Sequence, residues 1–250
     1  MSELQTRQYR QRIYEKYVSG MLRTKGTGYT QQDYQKWADA AKARLHSWLP
    51  EDRNIPVLDM GCGSGQFLYL LDQLGYTDHI GVDLSGEQVA LAENWCPRAK
   101  IIQGDAREVL VANPARFGLI TGFDIIEHLG KDEILPFLDL VVNALRPGGR
   151  LILQTPNAES PWFGAVAYGD YTHEWFFTPS SLKHILWLSG LIEFQARASA
   201  PHVHSIKSLG RVGLWQMLNP FLMLWNLAET GSVGSGIYTR VFVATAIKSE

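Results

Sequence analysis

Between Ile55 and Thr155 the chain alternates short apolar runs with amphipathic stretches, and few folds accept that alternation. VLDM (57–60), HIGVD (79–83), KIIQ (100–103), LITGF (119–123) and RLILQT (150–155) predict strands buried on both faces. Helical spacing at 65–74, 85–95 and 132–145 supplies the connections between them, and Leu145 to Gly149 is expected to end the last helix in a turn. Strand and helix in strict alternation predict an α/β, doubly wound, mostly parallel sheet.

The flanks add to this frame. Thr30 and Asp33 form a capping box ahead of apolar residues at helical spacing, Tyr34 to Trp48, and Ser85 with Gln88 forms a second. A later helix runs from Thr178-Pro179 to near Gly190, followed by strands at 191–197 and 238–247. The stretch between those two strands is too long for a hairpin and is expected to be an insertion with its own role. The whole is read as one domain, 1–250, with an N-terminal helical cap at 1–50, a core at 55–155, a loop and helix at 156–190 and an apolar insertion at 201–236. At 46% hydrophobic and 19% charged the chain can bury a sizeable core, and a net charge of -2 gives no general attraction to nucleic acid. Cys62 and Cys96 make no disulfide or metal pattern, the N-terminal residues are too polar for a secretory signal, and no long run is cleanly apolar; a cytoplasmic protein is expected.

Asp59-Met60-Gly61-Cys62-Gly63-Ser64-Gly65 follows the first strand and opens a helix. Glycines there let the backbone turn sharply and approach a ligand that helix-end N–H groups point at. The dinucleotide fingerprint needs a glycine at 66, where Gln66 stands, so a nicotinamide dehydrogenase is disfavoured. Asp83 ends the second strand, where it could accept ribose hydroxyls, and Asp105 follows the third, where it could accept from an adenine amino group. Each acid alone reads as a turn or cap residue; three at successive strand ends, in register with the glycine turn, read as a nucleotide-like site.

VLDMGCGSGQFL, GVDLS, GDA, FDIIEHL and LRPGGRLILQTPN together resemble the successive motifs of class I S-adenosylmethionine-dependent methyltransferases over roughly 55–197. The resemblance implies a seven-stranded Rossmann-like sheet whose last strand runs antiparallel. It also implies S-adenosyl-L-methionine as cofactor and S-adenosyl-L-homocysteine as product. Gly61, Cys62, Gly63 and Gly65 would pass near the methionine part and Asp59 near its ammonium. Asp83 and Leu84 would meet the ribose, with Asp105 and Ala106 near the adenine and Phe123 in the pocket wall. Gly118 stands where such enzymes often carry an acid, so no fixed catalytic role maps there.

FDIIEHLGK (123–131) then falls at the pocket end of the fourth strand. A sulfonium methyl is already activated, so in-line positioning does much of the work. An alcohol acceptor must also lose a proton, and a base or a metal helps it. Glu127 and His128 are candidates for that role. The D-x-x-E-H spacing also resembles the metal-binding run of ubiquinone-biosynthesis O-methyltransferases, which would make Asp124, Glu127 and His128 a magnesium site, although magnesium prefers oxygen ligands. The plain alternative is that Glu127 caps the next helix and His128 packs locally.

A second polar and aromatic group, Tyr168 to Phe177, follows the fifth strand. Tyr168, Asp170, Tyr171 and Trp175 are candidate acceptor contacts and His173 a rival base, unless Asp170 and His173 only tie the loop down. The Y-G-D-x-T-H-E run with Phe177-Thr178 and Leu182 after it resembles methyltransferases of bacterial surface-polysaccharide synthesis, which implies O-methylation of a saccharide or lipid-linked glycan. Within 201–236, Asn219 and Pro220 are expected to break a strongly apolar segment. That segment reads as a peripheral membrane contact, a lid or self-association surface, or core. His202 and His204 at its edge read as surface residues. Three readings of the whole follow: a sugar O-methyltransferase, a magnesium-assisted quinol or phenol O-methyltransferase, and a non-catalytic cofactor-binding protein that docks through 201–236.

Overall fold

The computed structural model describes residues 8–19, 29–203 and 206–249, and its centre is one seven-stranded sheet. The strands are β1 (Val57–Met60), β2 (His79–Asp83), β3 (Lys100–Gln103), β4 (Phe117–Phe123), β5 (Leu145–Pro156), β6 (Leu191–Ala198) and β7 (Val241–Lys248). They lie in the order β3-β2-β1-β4-β5-β7-β6. The first five pair in parallel, and β7 runs antiparallel between β5 and β6. The expected α/β frame and its reversed last strand are both present.

Two-sided burial is what the apolar runs encode. Along β1, Val57 enters one core and Leu58 the other; Leu119 and Ile120 divide in the same way on β4, as do Ile152 and Leu153 on β5. One core is closed by α2 (Gln31–Leu45) and α3 (Gln66–Leu74), through Ala38, Leu45, Phe67 and Leu71. The other is closed by α6 (Lys131–Ala144) and α8 (Pro179–Leu188), through Phe137, Val141 and Leu182. β3 departs from the expectation: it is an edge strand and its residues are exposed or half-buried. With a neighbour on one side only, its apolar side chains are only partly covered.

Local signals hold in part. Thr30 and Asp33 do form a reciprocal capping box at α2. Ser85 caps α4 (Gly86–Trp95) by accepting from the Gln88 amide, but its own amide donates to Asp83 Oδ1 at 2.8 Å, so the second box is only half made. Leu145 to Gly149 is not a free turn: Leu145 already pairs with Phe117, and an irregularity before Leu119 absorbs the extra residues around Gly148. The short helices α1 (Gln8–Tyr14), α5 (Ala106–Val111) and α7 (Phe163–Ala167) complete the set with α9 (Ile206–Thr230).

The largest correction is α9. Asn219 and Pro220 do not break it; one 25-residue helix runs through both. Its large apolar side chains are mostly exposed, which removes the reading of this segment as core. No helix among the described residues is long and apolar enough to cross a membrane.

The tightest joint lies where β2 meets α3. A Cβ added to Gly81 would sit 2.5 Å from Leu68 Cδ1 and 2.9 Å from Cys62 Sγ. Gly81→Ala is expected to destabilise the fold by about 1–3 kcal/mol through overpacking, read as a lower urea midpoint at unchanged slope.

Candidate active site

The strand order reverses between β1 and β4, and the loops leaving their C-terminal ends open a cleft there. Its volume is about 1100 Å³, and its walls include Asp59, Gly61, Cys62, Gly63, Asp83, Leu84, Asp105 and Ala106 from the ends of β1, β2 and β3, with Phe123 and His128 from the end of β4 and the turn after it. Nine of the residues assigned to the cofactor from sequence thus share one space. Gly65 does not line it; at φ +86° it turns toward α4, where a Cβ would lie 2.9 Å from Cys96 Sγ.

The glycine loop is held by its neighbours' polar groups. The Gly63 amide donates to Asp83 Oδ2 at 2.9 Å, the Cys62 amide to the Val82 carbonyl at 3.0 Å, and the Tyr34 hydroxyl to the Ser64 carbonyl at 2.5 Å. Gly61 and Gly63 both have positive φ, and a Cβ on Gly63 would meet little, so the backbone there faces open cleft. Asp83 spends one oxygen on Gly63 and the other on Ser85, and its remaining lone pairs are left for a ligand. Burial raises its pKa while those two amides oppose the rise. Asp59 is buried, accepts from the Thr121 hydroxyl at 2.7 Å, and is pushed by burial up to about 7. Asp105 caps α5 by accepting from the Arg107 amide at 2.9 Å.

Residues 8–19 cross the cleft. Arg10, Tyr14 and Tyr17 line it. Arg10 pairs with Glu133 at 3.1 Å and Glu174 at 3.0 Å, and the Tyr9 hydroxyl also donates to Glu174. At the other end the Val18 and Ser19 amides donate to Glu87 Oε2 at 2.7 and 3.0 Å. Burial raises the Tyr14 and Tyr17 phenols to about 12, so both stay protonated at neutral pH.

Beyond Phe123 the chain folds tightly. Asp124 adopts φ +55°, unusual for a non-glycine residue, and its Oδ2 accepts from Gln154 Nε2 at 3.0 Å. A 3-10 turn, Ile126–His128, then buries Glu127 completely. Glu127 does not cap α6; Glu133 does, accepting from the Gly130 amide at 2.8 Å. The Glu127 carbonyl instead accepts from the Glu174 and Trp175 amides at 2.8 and 3.1 Å, its Oε2 accepts from Thr155 at 3.0 Å, and its buried Oε1 has no partner among the described residues. Burial drives its pKa well above the ordinary carboxyl value.

His128 and His173 meet across this joint with ring centroids 5.0 Å apart. Thr172 settles the state of the first. Its hydroxyl donates to Asp170 Oδ1 at 2.7 Å, so toward His128 Nδ1, 2.9 Å away, it can only accept. Nδ1 therefore carries the proton, and Nε2 keeps a lone pair. Burial, then the neighbouring His173, hold the His128 pKa below its ordinary value. Asp170 lies below its ordinary value: burial opposes this, but the Thr172 hydrogen bonds and the two imidazoles outweigh it. Thr172 is the residue that sequence reasoning missed, since a lone loop threonine carries no signal.

His173, Tyr168, Asp170, Tyr171 and Trp175 stand outside the cleft lining. Tyr168 and Tyr171 are 87% and 82% exposed, Tyr171 meets the Tyr9 ring edge-on, and Lys131 Nζ lies 4.4 Å from the Trp175 ring centre. The metal reading also changes membership. Glu127, His128 and His173 offer ligand atoms within 4.8 Å of one another, whereas Asp124 is engaged by Gln154 and lies outside that group. An ion there would satisfy the orphaned Glu127 oxygen. Two imidazoles and one carboxylate suit a transition cation better than magnesium.

Comparison with known proteins agrees with the geometry. The mitochondrial ubiquinone biosynthesis O-methyltransferase of Rattus norvegicus is 24% identical over 197 residues, covering 72% of this chain and 51% of its own. That of Dinoroseobacter shibae is 26% identical over 153 residues, covering 56% and 60%. The chain therefore spans about half to three fifths of the length of these relatives. Among solved structures, a SAM-dependent methyltransferase from Archaeoglobus fulgidus superposes with a TM-score of 0.63 at 22% identity, over 84% of this chain and 94% of its own. A Haemonchus contortus phosphoethanolamine N-methyltransferase in complex with S-adenosyl-L-methionine gives 0.58 at 16% identity, over 95% and 60%. A family model described as a methyltransferase domain matches residues 29–192, and with it the glycine loop, the acids at the strand ends and strands β1 to β5. The chain belongs to the methyltransferase-domain family, on the Rossmann-like sheet of S-adenosylmethionine-dependent methyltransferases.

Proposed function

We propose that this protein is an O-methyltransferase that moves the methyl group of S-adenosylmethionine to a sugar hydroxyl, with His128 as the general base. The observation that carries the reading is the Asp170–Thr172–His128 chain, which leaves the Nε2 lone pair of a cleft-lining imidazole free. The cofactor supplies an electrophilic methyl carbon on sulfur. The acceptor oxygen forms the new C–O bond, the C–S pair returns to sulfur, and the acceptor proton passes to His128 Nε2. Asp83 and Asp105 would hold the ribose and adenine, and Asp59 would face the ammonium. Exposed Tyr168 and Tyr171, with half-exposed Trp175, give stacking faces of the kind that sugar rings use. Glu127 serves this site as a positioning residue, because it joins the His128 turn to the loop bearing His173.

A second reading is metal-assisted methylation of a quinol or phenol. The Glu127, His128 and His173 cluster favours it, as do the names of the ubiquinone relatives. It predicts that EDTA dialysis abolishes turnover and that a transition cation restores it. Under the general-base reading turnover survives chelation.

His128→Gln is expected to lower kcat by about 10²–10⁴-fold while calorimetric affinity for S-adenosylmethionine stays within about twofold. His173→Gln should cost less, and loss of cofactor binding in either variant would reject the assignment. The sign of the pH dependence follows from burial: protonation of His128 occurs below its ordinary value of 6.5, so the acid limb of kcat/KM should fall below that pH.

Asp59 supplies a separate check. Its raised pKa means the unliganded protein keeps a proton there below about 7, and an arriving ammonium would expel it. Calorimetry at pH 6.5 in buffers of different ionisation enthalpy should detect proton release on cofactor binding. Asp59→Asn should abolish that release.

A further inference from the structure

Helix α9 carries a surface that the catalytic reading does not use, and we infer that this surface pairs with a second copy of the same chain through an antiparallel helix contact. Leu214, Met217, Leu218, Phe221, Leu224 and Trp225 recur at three- and four-residue spacing and are 57%, 68%, 45%, 68%, 60% and 72% exposed. At 3.6 residues per turn they form one stripe. The residues of the opposite face, among them Val212, Trp215, Asn219 and Asn226, are half-buried. Side chains of these sizes and exposures present on the order of 800 Å², about what one partner contributes to a stable interface. It exceeds the roughly 300–600 Å² of the largest apolar patch on a typical monomer.

The stripe is self-complementary, which is what selects the occupant. A two-fold axis through Phe221 sets Phe221 against its own copy, Leu218 against Leu224, Met217 against Trp225 and Leu214 against Ala228, so every large apolar position meets an apolar one. The charges obey the same axis. Between Arg211 and Glu229 the sequence has no charged residue, and those two lie about five turns apart, on one flank of the helix. Antiparallel pairing brings Arg211 of each copy within about one turn of Glu229 of the other, whereas parallel pairing would set like charges side by side. A bilayer would accept the apolar stripe but has no use for its symmetry or for an acidic residue at one end.

Sedimentation of the full chain from micromolar concentrations upward should give the dimer mass. Phe221→Glu, on the axis, should give a monomer with unchanged circular dichroism and unchanged cofactor affinity. Arg211→Glu should weaken dimerisation at least several-fold, and Arg211→Glu with Glu229→Arg should restore it. Direction is read by crosslinking: Leu214→Cys mixed with Ala228→Cys should form a disulfide-linked heterodimer more readily than either variant alone, since native Cys62 and Cys96 are buried. A monomer at all concentrations overturns the inference. So does a dimer indifferent to Phe221→Glu, or Phe221-dependent partition of a monomer onto phosphatidylglycerol vesicles. None of these readouts requires methyl transfer, so the inference and the catalytic reading fail separately.

Discussion

Glu127 is the residue on which the arrangement of the site depends. One buried side chain reaches Thr155 on β5, while its carbonyl receives two amides from the loop that carries His173 and Trp175. Glu127 thereby touches the turn after β4, the end of β5 and the acceptor-side loop at once, alongside the Asp124–Gln154 and His128–Thr172 bonds that join them pairwise. An unpartnered buried carboxyl oxygen is costly. Its presence at a joint between two imidazoles is the kind of local expense found at working sites rather than in plain core.

A second set of interactions encloses the cleft. Asp105, Arg107, Glu133, Arg10 and Glu174 form a continuous series of opposite charges, from the cap of α5 to the loop after β5. Residues 8–19 are thereby joined to the cofactor side and the acceptor side at once. These pairs are partly buried, and the series fixes where the N-terminal segment is held. The aromatic hydroxyls it brings inward stay neutral, and they can donate hydrogen bonds without adding charge to a cleft already lined by Asp59, Asp83 and Asp105.

The fold was legible because two-sided burial imposes a strong pattern: the central strands must present adjacent apolar residues to both faces, and Val57-Leu58, Leu119-Ile120 and Ile152-Leu153 do so. The glycine loop was legible because positive φ at Gly61 and Gly63 demands that residue type. Edge position was not legible, so β3 was expected to be more buried than it is; composition does not say which strand lacks a neighbour. Thr172 was hidden because its role depends on Asp170 and His128 meeting it in space. Asn219-Pro220 misled for a related reason. A proline removes one amide donor, but within a long helix exposed on that side the freed carbonyl can turn to water, so the local rule yielded to the flanking turns.

The insertion that carries α9 leaves the sheet between β6 and β7, at the edge farthest from β3 and beyond β5 from the cofactor loops. Changes there do not pass through the strands that position the glycine loop or its acids. Selection on assembly and selection on chemistry can thus act on separate parts of the chain, and relatives sharing the cofactor half are free to differ in what they associate with.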